Sequence, residues 1–300
     1  MELYQLRGFA AVAELGHLTR AADRLHVSQP ALSAQIKALE DELGSTLFER
    51  TATGMVLTAA GRRLLPDAVK VIAAVQELRA RALAMKGDVA GRVVVGTLSD
   101  PEFIRVGEFL ASALDRYPLL EIELHQEISG TAFEKVRDGA LDASFYYGKL
   151  AHPHVASIPL REVACRVVAP FGWRDRIEGA GWDDIAALDW IMTPPISTHH
   201  ALATEFFQAH GVAPTKLIEA DNEAVIRSLI LAGLGVAVMR EESAEEAVAA
   251  GEMCVWPGAR LLTVLQFVHL RERESEPAIH ALIDVIRDVW GAFPEAPPPE

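Results

Sequence analysis

Residues 18–44 read LTRAADRLHVSQPALSAQIKALEDELG. Thr19–Leu25 predicts a short helix with small and apolar side chains for close packing, and Val27 predicts a turn. Ser28 is a favourable N-cap for a second helix, in which Pro30 is tolerated because its missing N–H would have no partner in the first turn. One apolar stripe is expected along this helix, at Leu32, Ile36, Leu39 and Leu43. Gly44 is expected to end it.

The opposite face of the second helix carries Gln29, Ser33 and Lys37 at intervals of four residues. Glutamine pairs with adenine, serine contacts bases or phosphate, and lysine reaches phosphate or guanine. Two helices joined by a short turn, with such a face outward, fit the DNA-binding helix-turn-helix unit. The same three residues also fit an ordinary solvated helix surface, so this pattern alone leaves both interpretations open.

The flanking sequence completes an N-terminal domain. Apolar residues between Leu3 and Ala13 predict a first helix that ends at Gly16. Residues 47–50 and 55–57 predict a hairpin wing with Arg50 and Thr53 near its tip. Thr58 is expected to cap a long helix that runs to about residue 85. An uninterrupted heptad seam along that helix predicts contact with a partner chain, at Leu64, Ala68, Val71, Val75, Leu78, Ala82 and Met85.

Charge is unevenly distributed along the 300 residues, whose net charge is −14. Residues 1–86 contain 11 Lys or Arg and 9 Asp or Glu, which leaves 17 and 33 for the remainder. An acidic second domain repels DNA and thereby helps to orient the first domain towards it, so the overall sign does not exclude a DNA partner.

The residues now described closely resemble the LysR-type transcriptional regulators. The match lies in residues 18–33, 35–40, 42–44, 47–50 and 57–61. The resemblance implies an α/β protein with an N-terminal winged helix-turn-helix, a long linker helix that dimerises, and a bilobal effector domain like type II periplasmic binding proteins. His17 stands where the family commonly has a serine that caps the second helix, so the usual cap is not expected here. Ala34 stands where many members have arginine, which implies one fewer contact to a base or phosphate.

Carried over by position, the resemblance makes Gln29, Pro30 and Ser33 groove contacts, and Arg50, Thr53 and Thr58 positioning contacts to the DNA backbone. Arg20, Ser28 and Lys37 complete the predicted DNA-binding set. The expected partners are double-stranded DNA, a small-molecule effector and further copies of the chain, as a homodimer or homotetramer. The expected domains are 1–58 (winged helix-turn-helix), 59–88 (linker helix) and 89–300 (effector domain).

Strands and helices alternate in the effector domain, which predicts an α/β sheet with crossover helices. Strands are predicted at residues 93–97, 122–125, 142–147, 217–219 and 236–239, and also around Ile191. We place lobe I at about 91–162 and 267–293 and lobe II at about 163–266, with chain crossings near 161–167 and 262–267. Residues 277–290 predict the last helix, and residues 294–300 a disordered tail.

Candidate effector-binding residues follow the predicted strands, where helix N-termini present free N–H groups. They are Thr97, Ser99, Asp100, Ser129, Thr131, Tyr147, Ser197, Thr198 and His199. Tyr146 and Tyr147 should alternate, one in the cleft and one in the core. Each hydroxyl is also an ordinary capping residue. Hydroxyls and helix dipoles suit a small organic acid or other metabolite, whereas Asp100 would favour a cationic, amide or hydroxyl-rich ligand.

Several classes of function are disfavoured by the sequence. His199 and His200 lack the carboxylate or cysteine cluster of a metal site, so no metal and no cofactor are expected. Cys165 and Cys254 fit small buried residues. No GxSxG, Walker or HExxH pattern supports an enzyme. No apolar run is long enough to span a membrane, so we expect a cytoplasmic protein. A regulator without a ligand, a scaffold, and an enzyme fused to a helix-turn-helix remain the alternatives.

Overall fold

The computed structural model describes residues 1–51, 54–84 and 89–291. The chain divides into two units, Met1–Lys86 and Gly87–Glu300, called here the N-terminal and C-terminal units. Within the described residues, no helix is both long enough and apolar enough to cross a membrane.

The N-terminal unit contains four helices and one hairpin. Its elements are α1 (Leu3–Leu15), α2 (Leu18–Arg24), α3 (Gln29–Leu43), β1 (Phe48–Thr51), β2 (Gly54–Leu57) and α4 (Ala59–Ala84). Gly16 and Gly44 end α1 and α3 in the left-handed conformation, with φ of 67° and 62°. Both predicted glycine stops are therefore confirmed, since a left-handed residue satisfies carbonyls at a helix end at little cost only when it is glycine.

The core of the N-terminal unit lies between α1, α3 and the first strand. Leu32, Ile36 and Leu39 are buried as expected, and Phe9 packs edge-on against Phe48 with ring centroids 5.5 Å apart. Leu43 was predicted to belong to the same stripe, but it is 38% exposed because it is the last residue of the helix. Burial of this one face fixes which side of α3 remains outward.

The hairpin β1–β2 is antiparallel, and Arg50 is paired with Met55. Thr53, which we expected at its tip, lies outside the described residues. Thr58 caps α4, because its hydroxyl oxygen accepts a hydrogen bond from the Gly61 N–H at 3.0 Å. This side-chain cap was predicted from the sequence and is confirmed.

Much of the heptad seam of α4 is uncovered in the N-terminal unit. Ala68 is buried against the core, but Val71 is 44% and Leu78 is 68% exposed. Pro66 lies inside the helix. Met85, the last predicted seam position, lies outside the described residues. The exposed part of the seam is an apolar surface.

The C-terminal unit alternates strands and helices. Its first half contains β3 (Ala90–Thr97), α5 (Val106–Arg116), β4 (Leu119–Gln126), α6 (Ser129–Arg137), β5 (Ala143–Tyr147), β6 (Val155–Pro170), α7 (Arg174–Ile177) and α8 (Trp182–Ala186). Its second half contains β7 (Asp189–Met192), α9 (Thr198–Ala209), β8 (Lys216–Glu219), α10 (Glu223–Leu231), β9 (Ala237–Arg240), α11 (Glu241–Ala249), β10 (Met253–Val255), β11 (Leu261–Leu270) and α12 (Pro277–Trp290).

A seven-stranded sheet runs through the C-terminal unit in the order β10-β6-β11-β5-β3-β4, and β9 also pairs with β6. Strands β3, β4 and β5 are parallel, whereas β11 is antiparallel to both neighbours. Strands β7 and β8 form a separate parallel pair. Parallel strands joined by helices and antiparallel strands that return the chain give a mixed α/β fold, as predicted.

Two long strands connect the two lobes of this unit. β6 and β11 lie side by side from the pair Val155 and Leu270 to the pair Cys165 and Leu261. Lobe I consists of β3–β5, α5, α6 and α12, and lobe II of α7–α11 and β7–β10. The predicted crossings, 161–167 and 262–267, fall within these two strands. The last helix has the predicted bounds and buries Ile279, Leu282, Ile283 and Ile286.

Candidate functional site

The outward face of α3 carries the residues that the sequence analysis selected for DNA contact. Gln29 and Lys37 are exposed and Ser33 is partly exposed. Ser28 begins the helix, and its hydroxyl oxygen accepts a hydrogen bond from the Ala31 N–H at 3.3 Å. The apolar stripe on the opposite side of α3 is buried in the core. This burial fixes the rotation of the helix about its axis and keeps the polar side chains on the outward face.

A surface depression of about 520 Å³ lies beside this face, between α3 and the hairpin. Ser33, Lys37 and Arg50 all line it. Glu40 also lies there, but its carboxylate accepts hydrogen bonds from the backbone N–H groups of Leu47 and Phe48 at 2.7 and 3.2 Å. The fold thus brings a predicted backbone contact of the hairpin near the predicted groove contacts of α3.

The other residues predicted to contact DNA differ in whether their side chains are exposed and free of hydrogen bonds within the protein. Arg20 on α2 and Pro30 on α3 are exposed. The Thr58 hydroxyl donates to the carbonyl oxygen of Thr46 at 2.6 Å while it caps α4, so it is already engaged within the protein. His17 precedes α2 without a side-chain cap hydrogen bond, which agrees with the replacement of the usual serine.

A second candidate site is a cavity of about 500 Å³ between the two lobes of the C-terminal unit. Six predicted effector-binding residues line it: Ser99, Ser129, Thr131, Tyr147, Ser197 and His199. They come from both lobes and from the ends of different strands. Tyr147 faces the cavity while Tyr146 packs in a separate apolar cluster, as their alternation predicted.

Three predicted effector-binding residues do not line this cavity. Thr97 is only 8% exposed at the end of β3. The buried hydroxyl of Thr198 has no hydrogen-bond partner among the described residues and lies away from the lining. Asp100 accepts a hydrogen bond from the Phe103 N–H at 3.0 Å and forms an ion pair with Arg240, so the protein itself uses this carboxylate.

Three helices begin at the cavity, but they differ in how their first N–H groups are satisfied. Ser197 caps α9 through the His199 N–H at 3.2 Å, and Asn222 caps α10. In contrast, the residue before α6 is Ile128, which has no side-chain acceptor. The free N–H groups and positive dipole end of α6 therefore offer a place for an acceptor group of a ligand.

Arg240 joins the lobes across the cavity wall. Its side chain is 8% exposed and pairs with Asp100 of lobe I, while it also donates to the Ser243 hydroxyl at 2.9 Å. Its guanidinium lies 3.9 Å from the ring centroid of Phe103. The Nε atom has no hydrogen-bond partner among the described residues. A buried guanidinium with one unused donor is able to bind a further acceptor.

Burial shifts the ionisation of three residues that line the cavity. Loss of solvent, followed by the positive charge of Arg240, lowers the pKa of His199 to about 4, so this ring is neutral at pH 7. Burial raises the pKa of the Tyr147 hydroxyl. Burial also raises the pKa of Glu223, an effect that Arg240 opposes and Asp100 reinforces. The cavity therefore penalises uncompensated charge.

About half of the polar residues that line the cavity were not predicted from the sequence. The missed polar residues are Gln126, Glu127, Thr193, Asp221, Asn222, Glu223 and Arg240. Each follows or ends a strand, so the rule that ligands bind at the carboxyl ends of strands could have found them. The residues predicted at these strand ends were mainly hydroxyl-bearing, with Asp100 as the one carboxylate, so most of the charged and amide side chains of the lining were left out.

The described residues contain no group of three or more His, Cys, Asp or Glu side chains that could hold a metal ion. His199 packs edge-on against Tyr147 with ring centroids 5.1 Å apart. The Nδ1 atom of His200 lies 2.7 Å from the Thr193 carbonyl oxygen. Both histidines thus have structural surroundings that need no metal.

Two family models match the chain and meet near the boundary between its two units. Residues 3–62 match the bacterial regulatory helix-turn-helix protein of the lysR family, and residues 86–291 match the LysR substrate binding domain. Together they define a transcription regulator with a DNA-binding module and a ligand-binding module.

Relatives of known class extend over most of the chain. A probable hydrogen peroxide-inducible genes activator of Streptomyces viridosporus is 30% identical, covering 96% of this chain and 95% of that protein. The regulator IlvR of Caulobacter vibrioides is 32% identical, with coverage of 79% and 82%. The chain belongs to the LysR family of transcriptional regulators, as the sequence analysis predicted.

Solved structures agree on the fold. The crystal structure of full-length CbnR in complex with its target DNA has a TM-score of 0.67 at 23% identity, covering 96% of this chain and 99% of that one. ArgP from Mycobacterium tuberculosis has a TM-score of 0.64 at 22% identity, with coverage of 96% and 97%. The predicted combination of a winged helix-turn-helix and a bilobal effector domain is therefore confirmed.

Proposed function

We propose that this regulator reads duplex DNA with the outward face of α3 and changes its activity when a small molecule binds between the lobes of the C-terminal unit. The observation that carries the DNA half is the position of Gln29, Ser33 and Lys37 on one exposed face whose reverse side is buried. An α-helix with such a face fits the major groove, where amide, hydroxyl and amino groups recognise base edges.

Arg50, Arg20 and Ser28 would then fix the orientation of α3 on the phosphate backbone. Arg50 lies on the hairpin beside the same depression as Ser33 and Lys37, which supports a hairpin contact to the flanking phosphates. Thr53 keeps its predicted role as a further hairpin contact. These contacts would contribute affinity that falls with increasing salt concentration.

Substitution Ser33→Asp tests the DNA-contact face. A carboxylate at this position would face phosphates and base acceptors, so binding to the target operator should fall by on the order of a hundredfold, given the cost of unpaired like charge at an interface. Gel shift on the operator measures the change, and circular dichroism checks that α3 still folds. Gly179→Asp adds the same charge in an exposed loop of the C-terminal unit and should leave affinity unchanged. Equal affinity of Ser33→Asp and wild type would refute the assigned face.

The dimer is proposed to form along α4. Val71 and Leu78 on the heptad seam are exposed, and exposed apolar residues at heptad spacing are the usual signature of a helix that packs against a second copy. A homotetramer built from such dimers is the alternative. Two copies of α3 would read two half-sites of one operator.

The cavity between the lobes is proposed as the effector site because hydroxyls, an uncapped helix start and a neutral histidine meet there in a volume suited to a metabolite. We infer that an acceptor group of the ligand, such as a carboxylate, lies at the start of α6. Ser99 and Thr131 are exposed or partly exposed in this region and are free to donate hydrogen bonds.

The variants Ser99→Ala and Thr131→Ala test the cleft. Each removes one hydroxyl without changing the backbone, so the ligand concentration for half-maximal response should rise by on the order of fivefold to tenfold, the value of one hydrogen bond. A reporter gene measures the response, and gel shift without ligand should match wild type. Normal induction curves in both variants would move the site elsewhere.

Peroxide sensing through a thiol is a second candidate because of the relative from Streptomyces viridosporus. Both cysteines of this chain are buried. Burial raises the pKa of Cys165 to about 12 and also raises the pKa of Cys254, whereas a sensor cysteine needs an accessible thiolate. We therefore favour a ligand-responsive regulator that is not an enzyme and has no thiol switch, acting in the cytoplasm.

A further inference from the structure

The charges around the cavity do not balance within the protein. Arg240 pairs with Asp100, and Arg161 pairs with Glu242 at 2.6 Å. Lys135 pairs with Glu127 at the edge of the cavity. Each of these carboxylates thus has a basic partner of its own.

Two acidic residues that line the cavity have no such partner. Glu223, at the first position of α10, and Asp221, just before it, form no ion pair within 4.0 Å among the described residues. Glu223 is partly buried and receives a hydrogen bond from the Ser243 hydroxyl, which Arg240 in turn contacts. Arg240, itself on lobe II, opposes the rise in the pKa of Glu223, but it already pairs with Asp100 and lies 3.8 Å from Glu242, so it does not neutralise both carboxylates.

A carboxylate without a cationic partner in a partly desolvated cavity raises the free energy of the folded protein. Binding of a cation beside it offsets this cost. Burial disfavours the charged form of Glu223, and for the same reason it raises the pKa of this carboxyl group. A purely anionic ligand would place like charges side by side on lobe II, which is unfavourable. A neutral ligand could donate hydrogen bonds to the carboxylate but would leave its charge uncompensated.

From this imbalance we propose that the effector carries a protonated amine, which pairs with Glu223 of lobe II while an acceptor group of the same molecule lies at the start of α6 in lobe I. The inference rests on the proposed function, since it names the chemical class of the ligand for the same cleft. Asp221 is exposed beside Glu223 and adds to the attraction. Arg240 and Thr193 also belong to the cavity lining, and the Nε atom of the first and the hydroxyl of the second have no hydrogen-bond partner among the described residues.

Matched pairs of compounds test the proposal on the full-length protein by thermal shift. The pairs differ only in the amine: glycine and acetate, β-alanine and propanoate, γ-aminobutyrate and butanoate, L-leucine and isocaproate, L-phenylalanine and hydrocinnamate. At least one amine-bearing member should raise Tm in a concentration-dependent manner, whereas its partner should have little effect. Titration calorimetry of that member then gives its affinity.

Glu223→Gln keeps the shape of the side chain and removes its charge. It should weaken the amine-bearing ligand by on the order of tenfold or more, and it should abolish the preference over the partner compound. Glu219→Gln removes an exposed carboxylate of β8 that does not line the cavity and should behave as wild type. The melting temperature without ligand shows that both variants fold.

Two outcomes overturn the proposal. One is a panel in which no amine raises Tm more than its partner compound, and the other is an unchanged preference in Glu223→Gln. If simple acids bind instead and Thr131→Ala weakens them, the cleft remains the effector site and only the amine inference fails. If an amine binds but neither Thr131→Ala nor Glu223→Gln weakens it, the cleft itself has been misassigned and both proposals fail.

Discussion

Arg240 brings one positive charge into the wall of a cavity whose other ionisable groups are acidic or kept neutral. Its effect on each neighbour has a definite sign. It opposes the rise in the pKa of Glu223 and adds to the fall in the pKa of His199. A single buried guanidinium thus favours an ionised glutamate and a neutral histidine, both on the lobe II side of the cleft.

The neutral His199 makes stability depend on pH. Its pKa falls from 6.5 to about 4 on folding, so between these values the unfolded chain binds a proton that the folded chain does not. The contribution of the neutral ring to the free energy of unfolding is fully present well above pH 6.5, and it is lost as the pH falls towards 4. The expected loss for this residue is about 2 kcal/mol between about pH 7.5 and 5.

Urea unfolding followed by tryptophan fluorescence measures this loss. Glutamine does not titrate, so His199→Gln should be less sensitive to acid than wild type by that amount. His154→Gln, at an exposed position of the same unit, should retain the wild-type dependence. Parallel pH profiles of wild type and His199→Gln would show that the ring does not resist protonation in the folded protein.

Among the secondary-structure elements, the start of α4 leaves no room for a larger side chain at Gly61. A Cβ atom added to Gly61 would lie 2.3 Å from the Leu47 carbonyl oxygen, which also accepts the Thr58 N–H at 3.0 Å. That oxygen belongs to the backbone beside β1 and cannot rotate away. Gly61→Ala should therefore destabilise the N-terminal unit by about 2–4 kcal/mol.

The positions of the tryptophans allow this effect to be located. All five lie beyond residue 86, so tryptophan fluorescence follows the C-terminal unit alone. Gly61→Ala should lower the melting temperature seen by circular dichroism and leave the fluorescence transition in place. Gly107→Ala, where an added Cβ meets nothing within 4 Å, should leave both transitions unchanged or slightly raised. Coincident destabilisation in both signals would contradict the assignment.

Elements with a strong local pattern could be predicted from the sequence, whereas long-range pairing could not. The glycine stops of α1 and α3, the Thr58 cap and both ends of α12 depend on neighbouring residues and agree with the structure. Helix α11 was missed because its buried residues, Ala244 and Ala247, are small and give little apolar periodicity. The ion pair of Arg240 with Asp100 joins residues 140 positions apart, and no local pattern reveals it.

For the molecule as a whole, the boundary between the nearly neutral and the acidic part of the chain coincides with the boundary between the two units. The proposed DNA-contact face lies in the nearly balanced unit, and the acidic residues are concentrated in the unit that holds the cavity. Electrostatic attraction to phosphate is therefore limited to one end of the chain, which favours a single binding orientation over general adhesion to nucleic acid.

The route of the chain through β6 and β11 has a consequence for how this fold can change. Lobe II is a single continuous insertion, because the polypeptide enters it along one strand and leaves it along the adjacent, antiparallel strand. Since those strands are direct neighbours, a short turn could replace everything between them, or the corresponding segment of another regulator could be transplanted there. The residues that lobe II contributes to the cavity could thus be exchanged in one recombination event without any change to the N-terminal unit.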